Sequence, residues 1–187
     1  GGVPAMTFEY ILKGKGMTNT VDYSLNFDVQ FNLMTSAFLS GTADYCTVFE
    51  PTASEYQSAG KWHIVASVGE AGGEIPYTCY TASQEFIDKK ADKLEKFLRA
   101  VWKGVEYVNT HSASDCARLV APYFEGTGME LLTRAIENHK TYDMWMNTPV
   151  TSVDGFVRIQ QIMKNAGELQ QSVPYDAIVD NKVANKI

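Results

Sequence analysis

Three short segments hold most of the side chains and backbone groups in this chain that could do chemistry, and each leads into a helix. The first is Gly1-Gly2-Val3-Pro4-Ala5-Met6-Thr7. Glycines permit close backbone approach, and the free N–H groups of a first helical turn can hold an oxyanion or a polar group. The same pattern also serves as a plain turn. The second is Asn26-Phe27-Asp28-Val29-Gln30, where Asp28 is a natural N-cap and Gln30, slightly farther on, is placed to reach a cleft. The third is Phe49-Glu50-Pro51-Thr52. Its carboxylate either complements the positive end of the following helix or meets a ligand. None of the three contains Lys or Arg. A strongly anionic ligand would depend on backbone N–H groups and hydroxyls with Glu50 opposing it, whereas an amine or aminopyrimidine would meet Glu50 favourably. Tyr77, in Ile75-Pro76-Tyr77-Thr78, is either an aromatic wall or core.

No catalytic set accompanies these segments. The serines lack His and Asp partners in a recognisable arrangement, and there is no phosphate-loop lysine, HExxH or paired-carboxylate motif. Cys46, Cys79 and Cys116 are widely spaced, and Cys46 and Cys79 sit in apolar runs, which predicts buried small side chains rather than a disulfide framework or zinc ribbon. His63, His111 and His139 have no ligand-like neighbour, so neither a metal nor a cofactor is expected. Tyr142, Trp145 and Met146 suit either a ligand stack or a helix-covering core, and the mixed charges of residues 88–96 suit a solvated helix face.

The 187 residues carry 16 Lys+Arg against 22 Asp+Glu, a net charge of −6, with 45% hydrophobic residues. That acidic balance argues against nucleic acid as a partner. Apolar runs such as Ile64-Val65-Ala66 are far below the roughly 20 residues of a membrane helix. A start at Gly1-Gly2 without Met reads as a mature, processed or truncated product.

These segments need elements to position them. Apolar spacing predicts helices over residues 4–15, 29–39, 51–59, 91–109, 112–122 and 129–139, another starting at Thr151 with Asp154, and a short last one over 175–185. Alternation or short apolar runs predict strands over 20–27, 43–49, 62–68 and 75–81, with a glycine-rich hinge at 69–73. The first half therefore reads as a parallel α/β layer. The second half has several amphipathic helices and one strand for them to cover, and Gly1-Gly2-Val3-Pro4 resembles a strand-to-helix turn without its strand. The expectation is an α/β protein that is incomplete at its N-terminus.

Several quoted segments then carry a resemblance. Gly-Gly-Val-Pro-Ala-Met-Thr-Phe-Glu-Tyr-Ile-Leu (1–12), Ala-Phe-Leu-Ser-Gly-Thr-Ala-Asp (37–44), Phe-Glu-Pro (49–51), Ile-Pro-Tyr-Thr (75–78) and Val-Pro-Tyr-Asp-Ala-Ile-Val-Asp (173–180) occur in one order. Together they resemble type II periplasmic substrate-binding proteins of ABC importers for nitrate, sulfonates, taurine and thiamine precursors. In that family Trp usually precedes Glu-Pro, and Phe49 departs from this. The resemblance implies a two-lobed fold, with residues 1–72 forming most of lobe 2 and 73–187 the mainly helical return through lobe 1. It implies a missing N-terminal segment or a swapped chain as partner, a small-molecule ligand, an ABC permease in the membrane, and a periplasmic or lipoprotein-anchored location. Gly1, Gly2, Val3, Pro4, Thr7, Asp28, Gln30, Glu50 and Tyr77 are the ligand-binding candidates. Glu50→Ala is expected to weaken binding with little loss of folding. Two alternatives are a pyrimidine-synthesis enzyme on the same fold and a helical interaction module over 83–187. The iron-linked cysteine cluster of the yeast pyrimidine-synthesising enzymes has no counterpart here.

Overall fold

A computed structural model describes residues 2–142 and 144–187. Its helices are α1 (Val3–Gly14), α2 (Met34–Leu39), α3 (Thr52–Ser58), α4 (Val68–Gly72), α5 (Gln84–Lys89), α6 (Ala91–Thr110), α7 (Ala113–Val120), α8 (Met129–Thr141) and α9 (Val153–Asn165). Short 3-10 turns occupy Phe31–Leu33, Ala121–Tyr123, Tyr175–Ala177 and Ala184–Lys186. Helix α1 packs on α4 and α9, α7 packs on α8, and α8 reaches α3.

The α1–α4 crossing is close because Gly72 has no side chain. A Cβ there would lie 2.6 Å from Thr7 Cγ2 and 3.6 Å from Ile11 Cδ1. Small residues do similar work between α7 and α8, where Ala113, Cys116, Ala117, Leu132 and Ala135 are buried. Phe156 and Ile162 of α9, with Val183 and Ala184 from the last turns, form the other apolar centre.

The α/β expectation is not met by the described residues. The segments 20–27, 43–49, 62–68 and 75–81 form no strand, and the isolated bridge between Asn19 and Tyr23 is the β pairing found there. A strand requires a neighbour's N–H and C=O groups as well as its own alternation. Among the described residues, 43–48 and 75–81 enter no backbone–backbone hydrogen bond. Val21, Tyr45, Val65 and Tyr80 are 69–78% exposed, so no second layer covers these segments.

Other boundaries shift for local reasons. The helix expected over 29–39 is reduced to the Phe31–Leu33 turn and α2, and Asp28 does not cap it. Asp28 lies instead in a bend where its N–H donates to Asn26 Oδ1 at 2.9 Å, an Asx turn that competes with helix initiation. The expected hinge winds into α4, because Ser67 Oγ accepts from Glu70 N at 3.2 Å and caps it. Ser152, rather than Thr151, caps α9 by accepting from Gly155 N. The expected last helix breaks into two turns, since Tyr175 and Asn181 spend their side chains on Thr151. Cys116 is the buried thiol, while Cys46 is half-buried and Cys79 exposed; all three are free. Helix α6 forms as expected, yet none of its residues is buried, although Leu94, Leu98, Val101, Val105 and Val108 share one stripe.

Helix α7 starts on the predicted capping box. Ser112 Oγ accepts from Asp115 N at 3.1 Å and donates to Asp115 Oδ2 at 2.5 Å, while Arg118 pairs with the other oxygen. The Ser112 hydroxyl chiefly, with Arg118 adding charge, holds the Asp115 carboxyl below its ordinary range.

Three outcomes follow for stability. Gly72→Ala should cost about 1–3 kcal/mol in urea unfolding, because the new methyl meets a β-branched side chain already held in place. Ser112→Ala should cost about 1 kcal/mol as a lost N-cap. The lowered Asp115 value means its stabilisation is complete above the ordinary aspartate range and disappears as pH falls through the folded value. Asp115→Asn should therefore flatten the acid limb of a melting-temperature profile and leave the neutral-to-alkaline slope unchanged.

Candidate functional site

Glu50 is half-buried at the turn leading into α3. Its Oε2 accepts from Ser54 N at 3.1 Å, and its Oε1 accepts from Ser54 Oγ at 3.0 Å. The carboxylate thus complements the N-terminal end of α3, as its position before Pro51 suggested. A third donor comes from far along the chain: Asn138 Nδ2 of α8 lies 2.6 Å from Glu50 Oε1 and 3.0 Å from Ser54 Oγ. Ser54 itself is fully buried.

Further contacts fix α3 against its surroundings. Ser58 Oγ donates to Ser54 O at 2.7 Å, and Arg134 Nη1 of α8 donates to Ser58 Oγ at 2.5 Å. Trp62 is buried, donates its indole N–H to Ala53 O at 2.9 Å, and stacks on Tyr56 with centroids 4.8 Å apart. The corner that carries Glu50 is held from both sides.

At Phe49, the residue before Glu50 in the chain, aromatic rings gather. Phe49 lies 5.8 Å from Phe31 and 6.1 Å from Tyr77, centroid to centroid, in tilted geometry. Phe31, Phe49 and Tyr77 are 69%, 45% and 52% exposed, so the rings present faces to solvent rather than filling a core. Tyr77 therefore belongs to an aromatic wall in this structure. Gln30 is exposed beside Phe31 in sequence, and Asp28 is exposed two residues earlier. No Lys or Arg pairs with Glu50 among the described residues.

The first candidate segment is placed differently. Gly1 lies outside the described residues. Gly2, at φ +92°, takes a backbone conformation that favours glycine, and its carbonyl accepts from Met6 N at 3.0 Å. Val3 and Pro4 form the first turn, where proline's missing N–H leaves no bond unmade. Thr7 is buried, and its hydroxyl donates to Val3 O at 2.8 Å. That hydroxyl is committed to its own helix and its methyl to Gly72. No hydrogen bond joins residues 2–7 to the Glu50 corner among the described residues.

Phe31, Ser54 and Asn138 did not stand out in the sequence. Ser54 had one available signal, its place four residues after Glu50. Asn138 had none, because only packing of α8 on α3 brings it there. The three hydrogen bonds also revise the expected mildness of Glu50→Ala. Truncation leaves the fully buried Ser54 hydroxyl without its acceptor, although Asn138 still donates to it, at a cost of about 1–3 kcal/mol.

Two concavities lie elsewhere. One of about 440 Å³ is bordered by Tyr10, Lys13, Lys15 and Asn165. The other, of about 280 Å³, runs between α6 and α7 over Val101, Val105, Cys116, Leu119 and Trp145. Desolvation raises the Cys46 thiol above its ordinary value, which disfavours the nucleophilic thiolate. Among the described residues no three His, Cys, Asp or Glu side chains are grouped to hold a metal ion. No described helix is long and apolar enough to cross a membrane.

The sequence is similar to known proteins along its whole length. The family described as NMT1/THI5 like matches residues 2–113. A Bacillus subtilis (strain 168) protein named "Putative binding protein YtlA" is 34% identical over 187 residues, which is 100% of this chain and 56% of that protein. The chain thus spans little more than half the length of this relative. No solved structure matches it. With the family pattern covering more than half of the residues, including the Glu50 corner and Tyr77, the chain belongs to the NMT1/THI5-like family.

Proposed function

We propose that this chain is part of an extracytoplasmic solute-binding protein of an ABC importer, with Glu50 and the rings of Phe31, Phe49 and Tyr77 as its share of the ligand site. The observation that carries this reading is a hydrogen-bonded carboxylate with no paired cation, directly following in the chain the exposed ring of Phe49, which meets those of Phe31 and Tyr77. Membership of the family and the binding-protein name borne by the Bacillus relative support it. The ligand is a small nutrient of the sulfonate, nitrate or thiamine-precursor kind. Of these, a planar aminopyrimidine fits the corner best, because ring faces stack and an exocyclic N–H donates to a carboxylate. Oxyanions would meet Glu50 as a like charge.

The unpaired segments 43–48 and 75–81 and the only partly buried stripe of α6 support a second element of the reading. Further polypeptide, either another part of the same protein or a swapped chain, would supply the strands and the facing lobe. Ligand contact with both lobes would then favour the closed form by population shift, and a membrane permease would recognise that form. The two-lobe division at residue 72 is part of this proposal.

The other readings find less support. A pyrimidine-synthesis enzyme would require turnover of a candidate precursor. A self-contained helical module over 83–187 fits poorly with α9 packing on α1 and α8 bonding to Glu50 and Ser58.

Calorimetry on the full-length protein with 4-amino-2-methylpyrimidine, taurine and nitrate tests the proposal. The aminopyrimidine should bind most tightly. Glu50→Gln, which keeps the side-chain length and one acceptor oxygen, should weaken it at least tenfold, as should Tyr77→Ala. Wild-type affinity in both variants would remove the Glu50 corner from the site.

A further inference from the structure

The Glu50 corner has a saturation pattern that bears on how it would hold a ligand. A carboxylate oxygen has two lone pairs. Oε1 already accepts two donors, the Ser54 hydroxyl at 3.0 Å and the Asn138 amide at 2.6 Å. Oε2 accepts one, Ser54 N at 3.1 Å. Asn138 has two N–H donors, and both are spent here, on Glu50 Oε1 and on Ser54 Oγ at 3.0 Å. Among the hydrogen bonds of the described residues, both lone pairs of Oε1 are therefore taken and one of Oε2 is left.

We propose that Asn138 is a positioning residue for Glu50: by occupying Oε1 it fixes the carboxylate so that Oε2 alone meets the ligand, through a single donor. This rests on the reading of Glu50 as a ligand contact. It has two consequences. First, the site discriminates by donor geometry. A ligand with one suitably placed N–H is accommodated, whereas a guanidinium or amidinium, which needs both oxygens at once, would have to displace Asn138. Second, helix α8 acts on ligand affinity without touching the ligand, since the amide that orients Glu50 is carried 88 residues away in sequence.

A double-mutant cycle on the full-length protein tests the proposal, with 4-amino-2-methylpyrimidine and benzamidine as probes in calorimetry. The variants are Asn138→Ala, Asn138→Leu, Glu50→Gln, and each Asn138 change combined with Glu50→Gln. Asn138→Leu retains side-chain bulk, so it serves if the alanine variant does not fold by circular dichroism. The expected results are an approximately tenfold loss of aminopyrimidine affinity on removing the Asn138 amide, no further loss when Glu50→Gln is already present, and a narrowed preference over benzamidine. A merely structural Asn138 would give effects that add, because its contribution would not pass through the carboxylate. Additive losses, or unchanged affinity in a folded Asn138 variant, overturn the positioning role while Glu50→Gln still weakens binding. If Glu50→Gln binds as the wild type does, or the wild type does not bind the probe, the reading of the site itself fails and this proposal falls with it.

Discussion

The Glu50 carboxylate is a hydrogen-bonded link between the first half of this structure and the second, alongside the packing of α1 on α9. Glu50 takes a donor from the first turn of α3, a second from the fully buried Ser54 hydroxyl, and a third from Asn138 on α8. Leaving any of those buried donors unmade would be more costly than the modest net gain of making it. The corner before α3 and the face of α8 are consequently held in register, with Arg134 and Ser58 adding a polar contact along the same seam. What stands on that corner, including the exposed ring of Phe49 and its neighbours Phe31 and Tyr77, inherits a fixed position.

The opposite condition holds along the extended segments. Backbone N–H and C=O groups of 43–48 and 75–81 have no backbone partners, and large side chains such as Tyr45 and Tyr80 face solvent. Helix α6 shows the same imbalance, with an apolar stripe of five residues and nothing buried. Well-paired regions and unpaired regions thus alternate in one chain. Where small residues let helices approach, as at Gly72 against Thr7 or Ala117 between α7 and α8, packing is complete. Where a ladder is required, it is absent among the described residues.

These two conditions bear on function together. A carboxylate held by Ser54 and Asn138 follows Phe49 in the chain, whose ring meets the exposed rings of Phe31 and Tyr77. No thiolate, metal grouping or hydroxyl–imidazole pair stands near it among the described residues.

Helix positions were legible in the sequence because helical hydrogen bonds are local. Apolar spacing located α1, α6 and α8, and Ser112 with Asp115 marked the start of α7. The Phe-Glu-Pro corner was legible too, since an acidic residue before a helix-opening proline has few uses. Strands were not, because alternation describes a segment's own side chains and not the partner that must pair with it. Asp28 was misjudged since the adjacent Asn26 side chain captured its N–H first. Thr7 was read as open to a ligand, whereas Gly72 brings α4 over it. The amino-acid order alone determined the winding of α1, α6, α7 and α8 and where a carboxylate and an aromatic residue are neighbours in the chain. Only the tertiary structure decided that Asn138 holds that carboxylate and that Phe31 and Tyr77 meet Phe49, because those contacts arise from packing between elements that the sequence separates by up to 88 residues.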